Sequence, residues 1–242
     1  MSRLPITLRS SLIFSILSIT LSMALSGCQS GSFVRGSIDP AQDSWISLFD
    51  GKSLAGWKGL VGNPYSRAEM SPDLLATAQS EADRTMRAHW SVQDGILTFD
   101  GKGSHLCTVQ DFSDFVLELE WKIESGGDSG IYLRGCPQVQ IWDIRQNPVG
   151  SGGLYNNQNG ISEPLVAADL PPGEWNRFRI VMSDNKVTVH LNGQLVVDSV
   201  SLENYWNRSL AVPAAGQIEL QSHGSRLQFR NVRIQPTYPV NK

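Results

Sequence analysis

From Trp45 onward the chain alternates apolar and polar residues with a period close to two. The pattern recurs in Trp45-Ile46-Ser47-Leu48-Phe49, Trp90-Ser91-Val92, Ile96-Leu97-Thr98-Phe99, Phe115-Val116-Leu117-Glu118-Leu119-Glu120-Trp121 and Phe178-Arg179-Ile180-Val181-Met182. That period places successive side chains on opposite faces and predicts half-buried strands. Turn pairs separate the runs: Asp50-Gly51, Asp94-Gly95, Gly126-Gly127, Asp184-Asn185 and Asn192-Gly193. The last joins Val187-Thr188-Val189-His190-Leu191 to Gln194-Leu195-Val196-Val197, the form of a tight hairpin. Many short strands linked this way predict an all-β sandwich or jelly roll. One segment departs from the rule. Ser71-Pro72-Asp73 offers an N-cap followed by proline at the first helical position, and Leu74, Leu75, Ala78, Ala82 and Met86 follow at helical spacing. A helical excursion near residues 71–88 is expected, as a strut covering an edge strand or as a lid over a site.

The chain's start reads differently. Arg3 and Arg9 precede an uncharged apolar stretch from Ser11 to Leu25, and Leu25-Ser26-Gly27-Cys28 closes it. The stretch is short for a membrane span, which needs about 20 apolar residues, and has the layout of an export signal. The closing tetrapeptide resembles a lipobox, implying removal of residues 1–27 and lipidation of Cys28. Residues 28–44 are polar and glycine-containing and read as a flexible tether, leaving residues 45–236 as one folded domain. The expected location is outside the cytoplasm, lipid-anchored to a bacterial membrane. Gln29 after the cysteine fits the outer membrane.

Charge narrows the partners. The whole chain carries −3, and losing Arg3 and Arg9 with the signal makes the mature chain −5. Lys and Arg are scattered singly along the sequence, so no basic stripe marks a nucleic-acid binder. Apart from Cys28 the cysteines are Cys107 and Cys136; nothing places them in register, and free thiols are expected.

The polar half of the alternation is where chemistry is expected. Glu118 and Glu120 oppose Leu117, Leu119 and Trp121. Tyr132 and Arg134 oppose Ile131 and Leu133, and Gln138 and Gln140 oppose Val139 and Ile141. Read as three neighbouring strands, they each present one apolar face and one face of acid, amide, guanidinium or phenol groups, with Trp142 beside them. Such a set suits sugar hydroxyls and C–H faces better than bare solvent.

Longer motifs then carry a resemblance. Glu120-Trp121, Gly126-Gly127-Asp128-Ser129-Gly130-Ile131-Tyr132-Leu133-Arg134-Gly135 and Gln138-Val139-Gln140-Ile141-Trp142-Asp143 resemble the centre of the 3-keto-disaccharide hydrolase domain family. Leu48-Phe49-Asp50-Gly51 resembles its opening, Gly152-Gly153-Leu154-Tyr155 and Gly173-Glu174-Trp175-Asn176 its middle, and Ile218-Glu219-Leu220-Gln221-Ser222-His223-Gly224 its end. The resemblance implies a concanavalin-like jelly roll acting on glycosides already oxidised to a ketone at C3. That ketone acidifies the C2 proton, so net hydrolysis can run by deprotonation, elimination and hydration. An upstream sugar 3-dehydrogenase would have to make the substrate. Glu120, Asp143 and His223 are then candidate acids and bases and Arg134 the candidate enolate stabiliser. Tyr132, Gln138, Gln140, Tyr155 and Gln221 would hold hydroxyls, and Trp142 would stack on the ring. Glu120, Asp143 and His223 could instead gather a divalent cation, although no compact ligand motif requires one. Hydrolase and lyase outcomes both remain open.

Rival readings differ in what they leave unused. A retaining glucanase on this fold needs paired carboxylates about 5 Å apart, and the run Glu120-Trp121-Lys122-Ile123-Glu124 lacks the intervening Asp of the usual motif. A non-catalytic carbohydrate-binding module on the cell envelope would use the glutamines and aromatics but not a base beside an arginine.

Overall fold

The computed structural model describes residues 44–237. The expected signal peptide, tether and lipidated Cys28 lie outside the described residues. Thirteen strands and two helices follow in the order β1 (Ile46–Ser47), β2 (Trp57–Gly59), α1 (Pro64–Ala68), α2 (Pro72–His89), β3 (Trp90–Gln93), β4 (Ile96–Phe99), β5 (Leu106–Thr108) and β6 (Phe115–Ile123). The chain continues with β7 (Asp128–Leu133), β8 (Cys136–Trp142), β9 (Asn176–Ser183), β10 (Lys186–Leu191), β11 (Gln194–Ser201), β12 (Glu219–Leu220) and β13 (Leu227–Pro236).

The strands form two layers of a concanavalin-like jelly-roll sandwich. Sheet A runs β11-β10-β9-β6-β13-β4-β3, with β1 also paired to β13; sheet B runs β2-β5-β12-β7-β8. Alternation drives this layering. Leu117, Leu119 and Trp121 of β6 and Phe178 and Ile180 of β9 point inward, meeting Ile131, Leu133, Val139 and Ile141 of sheet B in one continuous core. Trp121 and Phe178 pack with ring centroids 5.5 Å apart. Large aromatic rings contribute most to such a core because each removes about 150–250 Å² from water. The Asp94-Gly95 and Asn192-Gly193 turns have positive φ at both residues, which matches the twist of the hairpins they close.

Both edges of sheet B are covered. The second helix, α2, packs against β2 at one edge, where a Cβ on Gly59 would lie 2.1 Å from the Ala82 carbonyl oxygen. Gly59 is the closest approach, and α2 satisfies its edge groups: the Gly59 N–H donates to Asp83 Oδ1 at 2.9 Å, and Gln79 Nε2 donates to the Gly59 carbonyl at 2.8 Å. The helix starts at the N-cap Ser71 and Pro72 as expected, and of the two roles open to it, strut or lid, it takes that of a strut over an edge strand. Leu74, counted in the apolar stripe, is instead exposed. At the other edge, the Gln140 amide donates to the Gly153 carbonyl and the Gly152 amide donates to the Gln140 carbonyl, at 2.9 and 2.8 Å. Cys107 and Cys136 are buried free thiols, each pushed by burial up to about 12.

Candidate active-site cleft

The sheet assignment divides the expected polar surface in two. Strand β6 belongs to sheet A, whereas β7 and β8 belong to sheet B. Glu118 and Glu120 consequently face out from one side of the sandwich, and Tyr132, Gln138 and Gln140 from the other. Glu120 accepts from Arg230 Nε at 2.7 Å and Asn231 Nδ2 at 2.8 Å. Arg134 leaves the strand alternation because Arg134-Gly135 forms the β7–β8 hairpin turn, with φ of 54° and 74°. Its guanidinium is buried in a structural tie, donating to the Ser113 carbonyl at 2.6 Å and pairing with Asp114. Asp143 accepts from the amides of Gly126 and Arg145, both at 2.8 Å, and fixes the loop ends. Burial raises its pKa, but those amides outweigh it and hold the carboxyl below its ordinary range. Of the four residues expected to act together, only His223 lines the cleft that gathers Tyr132, Gln138 and Gln140. The expected cation ligands Glu120, Asp143 and His223 are likewise not gathered, and among the described residues no three His, Cys, Asp or Glu side chains converge as a metal site.

What the fold does assemble is a cleft of about 370 Å³ on the outer face of sheet B. Its floor is Tyr132, Gln138, Gln140 and Gln221; His223 and Asp128 stand at the rim. The floor is a directed chain of hydrogen bonds. Gln138 Nε2 donates to Gln140 Oε1, Gln140 Nε2 donates to Asp128 Oδ1 at 2.8 Å, and Asp128 Oδ2 lies 3.7 Å from His223 Nδ1. Gly130 is required here, since a Cβ would come within 2.8 Å of the Gln138 amide carbon lying across it. Gln221 Nε2 donates to the Tyr132 hydroxyl at 3.3 Å, while Gln221 Oε1 is buried without a partner and remains a free acceptor.

Loops make the walls. Tyr155 and Asn156 form one, Tyr205 and Trp206 the other. Glu203 locks them together. Its carboxylate accepts from the amides of Gln158, Asn159 and Gly160 at 2.7–2.9 Å and pairs with Arg208 at 3.0 Å. Arg208 in turn donates to the Asn156 carbonyl at 2.8 Å and lies 5.3 Å from the Tyr205 ring. Trp206 Nε1 donates to the Gly135 carbonyl at 2.7 Å. Trp142 is not a stacking platform: it donates to the Gly150 carbonyl and props Tyr155 edge-on, with centroids 5.4 Å apart.

Past Tyr132 and Trp206 a second lobe of about 310 Å³ contains His105 and Ser222. The Ser222 amide donates to His105 Nδ1 at 3.3 Å. An amide only donates, so Nδ1 is the acceptor and the neutral ring carries its proton on Nε2. Burial, followed by the nearby His223, lowers the His105 pKa to about 4, which keeps the ring neutral at physiological pH. Its ring meets Tyr132 edge-on, with centroids 5.4 Å apart. Beneath them Glu219, the register partner of Tyr132, has both carboxylate oxygens buried and unpartnered, and burial pushes its pKa up to about 8.

Asp128, Asn156, Tyr205, Trp206 and His105 were not among the sequence candidates. Asp128 stood inside the Gly126-to-Gly135 motif, where a sequence signal existed. Asn204-Tyr205-Trp206 carried only the weak signal of two large aromatics in a segment without periodicity. Chemically, the cleft offers an imidazole beside a carboxylate, a neutral imidazole N–H donor, amides and aromatic walls, with no fixed cation on its floor.

The comparisons with known proteins agree in family and fold. A curated 3-keto-disaccharide hydrolase of Bacteroides thetaiotaomicron is 26% identical over 79% of this chain and 78% of its own length. A solved structure from Parabacteroides distasonis, described as a candidate glycosyl hydrolase, is 31% identical, covers 80% of this chain and 84% of that one, and superposes with a TM-score of 0.60. A second structure so described from that organism, 23% identical and covering 80% and 100%, superposes with a TM-score of 0.57 and speaks to the fold alone. Residues 44–235 match the sequence profile of one domain family across the whole sandwich, and the chain belongs to that family, the 3-keto-alpha-glucoside-1,2-lyase-like domains.

Proposed function

We propose that the sheet B cleft cleaves the glycosidic bond of sugars carrying a ketone at C3. The observation that carries this is the pairing of two histidines in different surroundings across Tyr132: exposed His223 at the rim beside Asp128, and half-buried, neutral His105 with its proton on Nε2. His223 takes the C2 proton; the C2–H electrons form the C2=C3 bond, and the carbonyl π pair moves onto oxygen. His105 Nε2–H and the Tyr132 hydroxyl donate to that enolate oxygen, the task first assigned to Arg134. The oxygen's pair then returns to form C3=O, the C2=C3 pair forms C1=C2, the C1–O pair leaves with the leaving group, and the His223 imidazolium protonates it. Water adding to the unsaturated ketone completes hydrolysis; release before addition makes the enzyme a lyase. Gln138, Gln140 and Gln221 hold hydroxyls, and the names of the family and of the curated relative support the 3-keto substrate class. The reading includes envelope anchoring through Cys28 and supply of the substrate by an oxidation at C3.

The test incubates the protein with 3-keto-trehalose or a 3-keto-β-glucoside in deuterated water, with and without chelator. Release of keto-sugar deuterated at C2, followed by NMR, is the expected result. Saturable binding of an unoxidised glycan with no turnover of either keto-glycoside would overturn it in favour of a binding module.

A further inference from the structure

The other outer face holds a second groove. It measures about 590 Å³ and lies on sheet A, between Trp45 and the Asp50-Gly51 turn on one side and the Asn231 bulge on the other. Glu118 is its floor, with only 8% of the side chain exposed. Three half-exposed arginines cover it: Arg177 and Arg179 at 2.8 Å and Arg233 at 2.6 Å. Beside them Arg230 pairs with Glu120 at 2.6 Å. Arg230 also lies 4.1 Å from the Trp175 ring, whose neighbour Lys122 is 4.8 Å from it, and Arg233 lies 4.4 Å from Trp45.

The layering decides what this face presents. Two carboxylates form the lower tier and five cations the upper one, an outward excess of three positive charges on a chain whose total is −3. Asp50 at the mouth is ionised, held so by the Lys52 and Ser53 amides, and its charge is offset by that of Lys52 beside it. One guanidinium already balances the charge of one carboxylate, and Glu118 has three. Here Arg177 and Arg179 each commit one nitrogen to Glu118; Arg177 lines the groove and Arg179 stands half-exposed beside it.

We propose that this groove binds an acidic polysaccharide, whose carboxylate or sulfate groups take the outer arginines while the sheet B cleft remains free to work. The groove's walls admit an extended chain and keep a flat lipid surface off its floor. Single-stranded nucleic acid would require open aromatic faces for its bases, and those of Trp45 and Trp175 are engaged by arginine and lysine. The site is independent of the catalytic reading, since it lies on the opposite sheet.

The test is binding of the full chain to polygalacturonate, dextran sulfate and neutral dextran, measured calorimetrically at 50 and 200 mM salt. Binding to either acidic polymer but not to dextran, weakened about 20–40-fold by the added salt, is expected from release of counterions by about three contacts. Arg177→Gln with Arg179→Gln should abolish binding while leaving turnover in the cleft unchanged. Lys122→Gln should lessen the salt dependence by about one contact's worth while leaving turnover in the cleft unchanged. Equal binding to dextran, salt-insensitive binding, or binding that survives the double substitution would overturn the proposal. So would a preference for phosphatidylglycerol vesicles or single-stranded DNA over both acidic polymers.

Discussion

On the outer face of sheet A, Glu118 and Glu120 lie beneath arginines that satisfy them at 2.6–2.8 Å. On the outer face of sheet B, Gln217, Glu219 and Gln221 alternate through β12 and the residues flanking it, and each has a buried oxygen with no partner. Such orphans are expensive, each costing about 1–3 kcal/mol, and folded proteins rarely keep several in a row without a reason. The two faces are equally polar in sequence, yet one is closed and the other left open. Completed charge pairs on sheet A hold strands together and offer only leftover cations. Incomplete hydrogen bonding on sheet B leaves a floor of unspent acceptors and donors for a ligand to complete. The candidate catalytic groups follow the same division, with His223 and His105 on the open face and Glu120 on the closed one.

The sharpest way to break that division is to compare one substitution on each face. His223→Ala should lower turnover of a 3-keto-glucoside by about 10²–10⁴-fold, the range for loss of a general base, with an unchanged Tm. Glu120→Gln should leave turnover intact, because its carboxyl serves Arg230 and Asn231 on the far side of the sandwich. The reverse outcome, measured in the same steady-state assay, would return catalysis to sheet A. His105→Ala comes next, with an expected loss of about 10²–10³-fold, mostly in kcat, if its Nε2–H meets the enolate oxygen. The wild-type kcat should show no step near pH 6.5 from His105, whose pKa burial lowers to about 4. A change in KM alone would reduce it to a binding group.

How much of this could be read from the sequence depends on whether a signal was local. The alternation in Phe115–Ile123 and the Asn192-Gly193 hairpin were legible because period and turn chemistry belong to neighbouring residues. The Ser71-Pro72 helix start was legible for the same reason. Alternation gives a strand two faces but not a sheet. Glu120 and Tyr132 therefore looked like companions until β6 paired with β9 and β13, and β7 with β8 and β12. Arg134 was misplaced by one step of pattern, since continuing the alternation past Leu133 overlooked that Arg134-Gly135 is a turn. The arginines read as scattered singly are gathered by the pairing of β6 with β9 and β13. Tyr205 and Trp206 reach the cleft on a loop without periodicity, held by Asn204 and Glu203, a placement only tertiary contacts specify.

A smaller effect should separate the closed face by stability rather than rate. Burial raises the Glu118 pKa, but Arg233, Arg179 and Arg177 outweigh it and bring it down to about 2. A carboxyl lowered on folding stabilises the native state above its ordinary pKa and loses that contribution as the pH falls toward 2. Glu118→Gln should therefore lower Tm by about 2–4 °C, equivalent to about 1 kcal/mol for partly exposed pairs. The deficit should be constant from pH 7 to pH 5 and shrink in stronger acid, with turnover unaffected. A deficit that persists at pH 2 would mean that Glu118 acts by packing rather than charge.

An effect of the same size but opposite sign belongs to the open face. Burial raises the Glu219 carboxyl to about 8, so the folded chain holds its proton more tightly than the unfolded chain does. Stability must then fall as the pH climbs from the ordinary carboxylate range toward 8, where the native state gives up that proton into a dry site. Glu219→Gln keeps the shape and removes the titration. Its Tm should match the wild type at pH 4 and exceed it by about 2–4 °C at pH 8, as about 1 kcal/mol of that penalty disappears. A lower Tm at pH 8 would show that the carboxylate is ionised and paired, with Arg67 the only cation among the influences on its titration. In that event sheet B, too, would keep its acid under an arginine, and the contrast between the two faces would rest on the unpartnered glutamines alone.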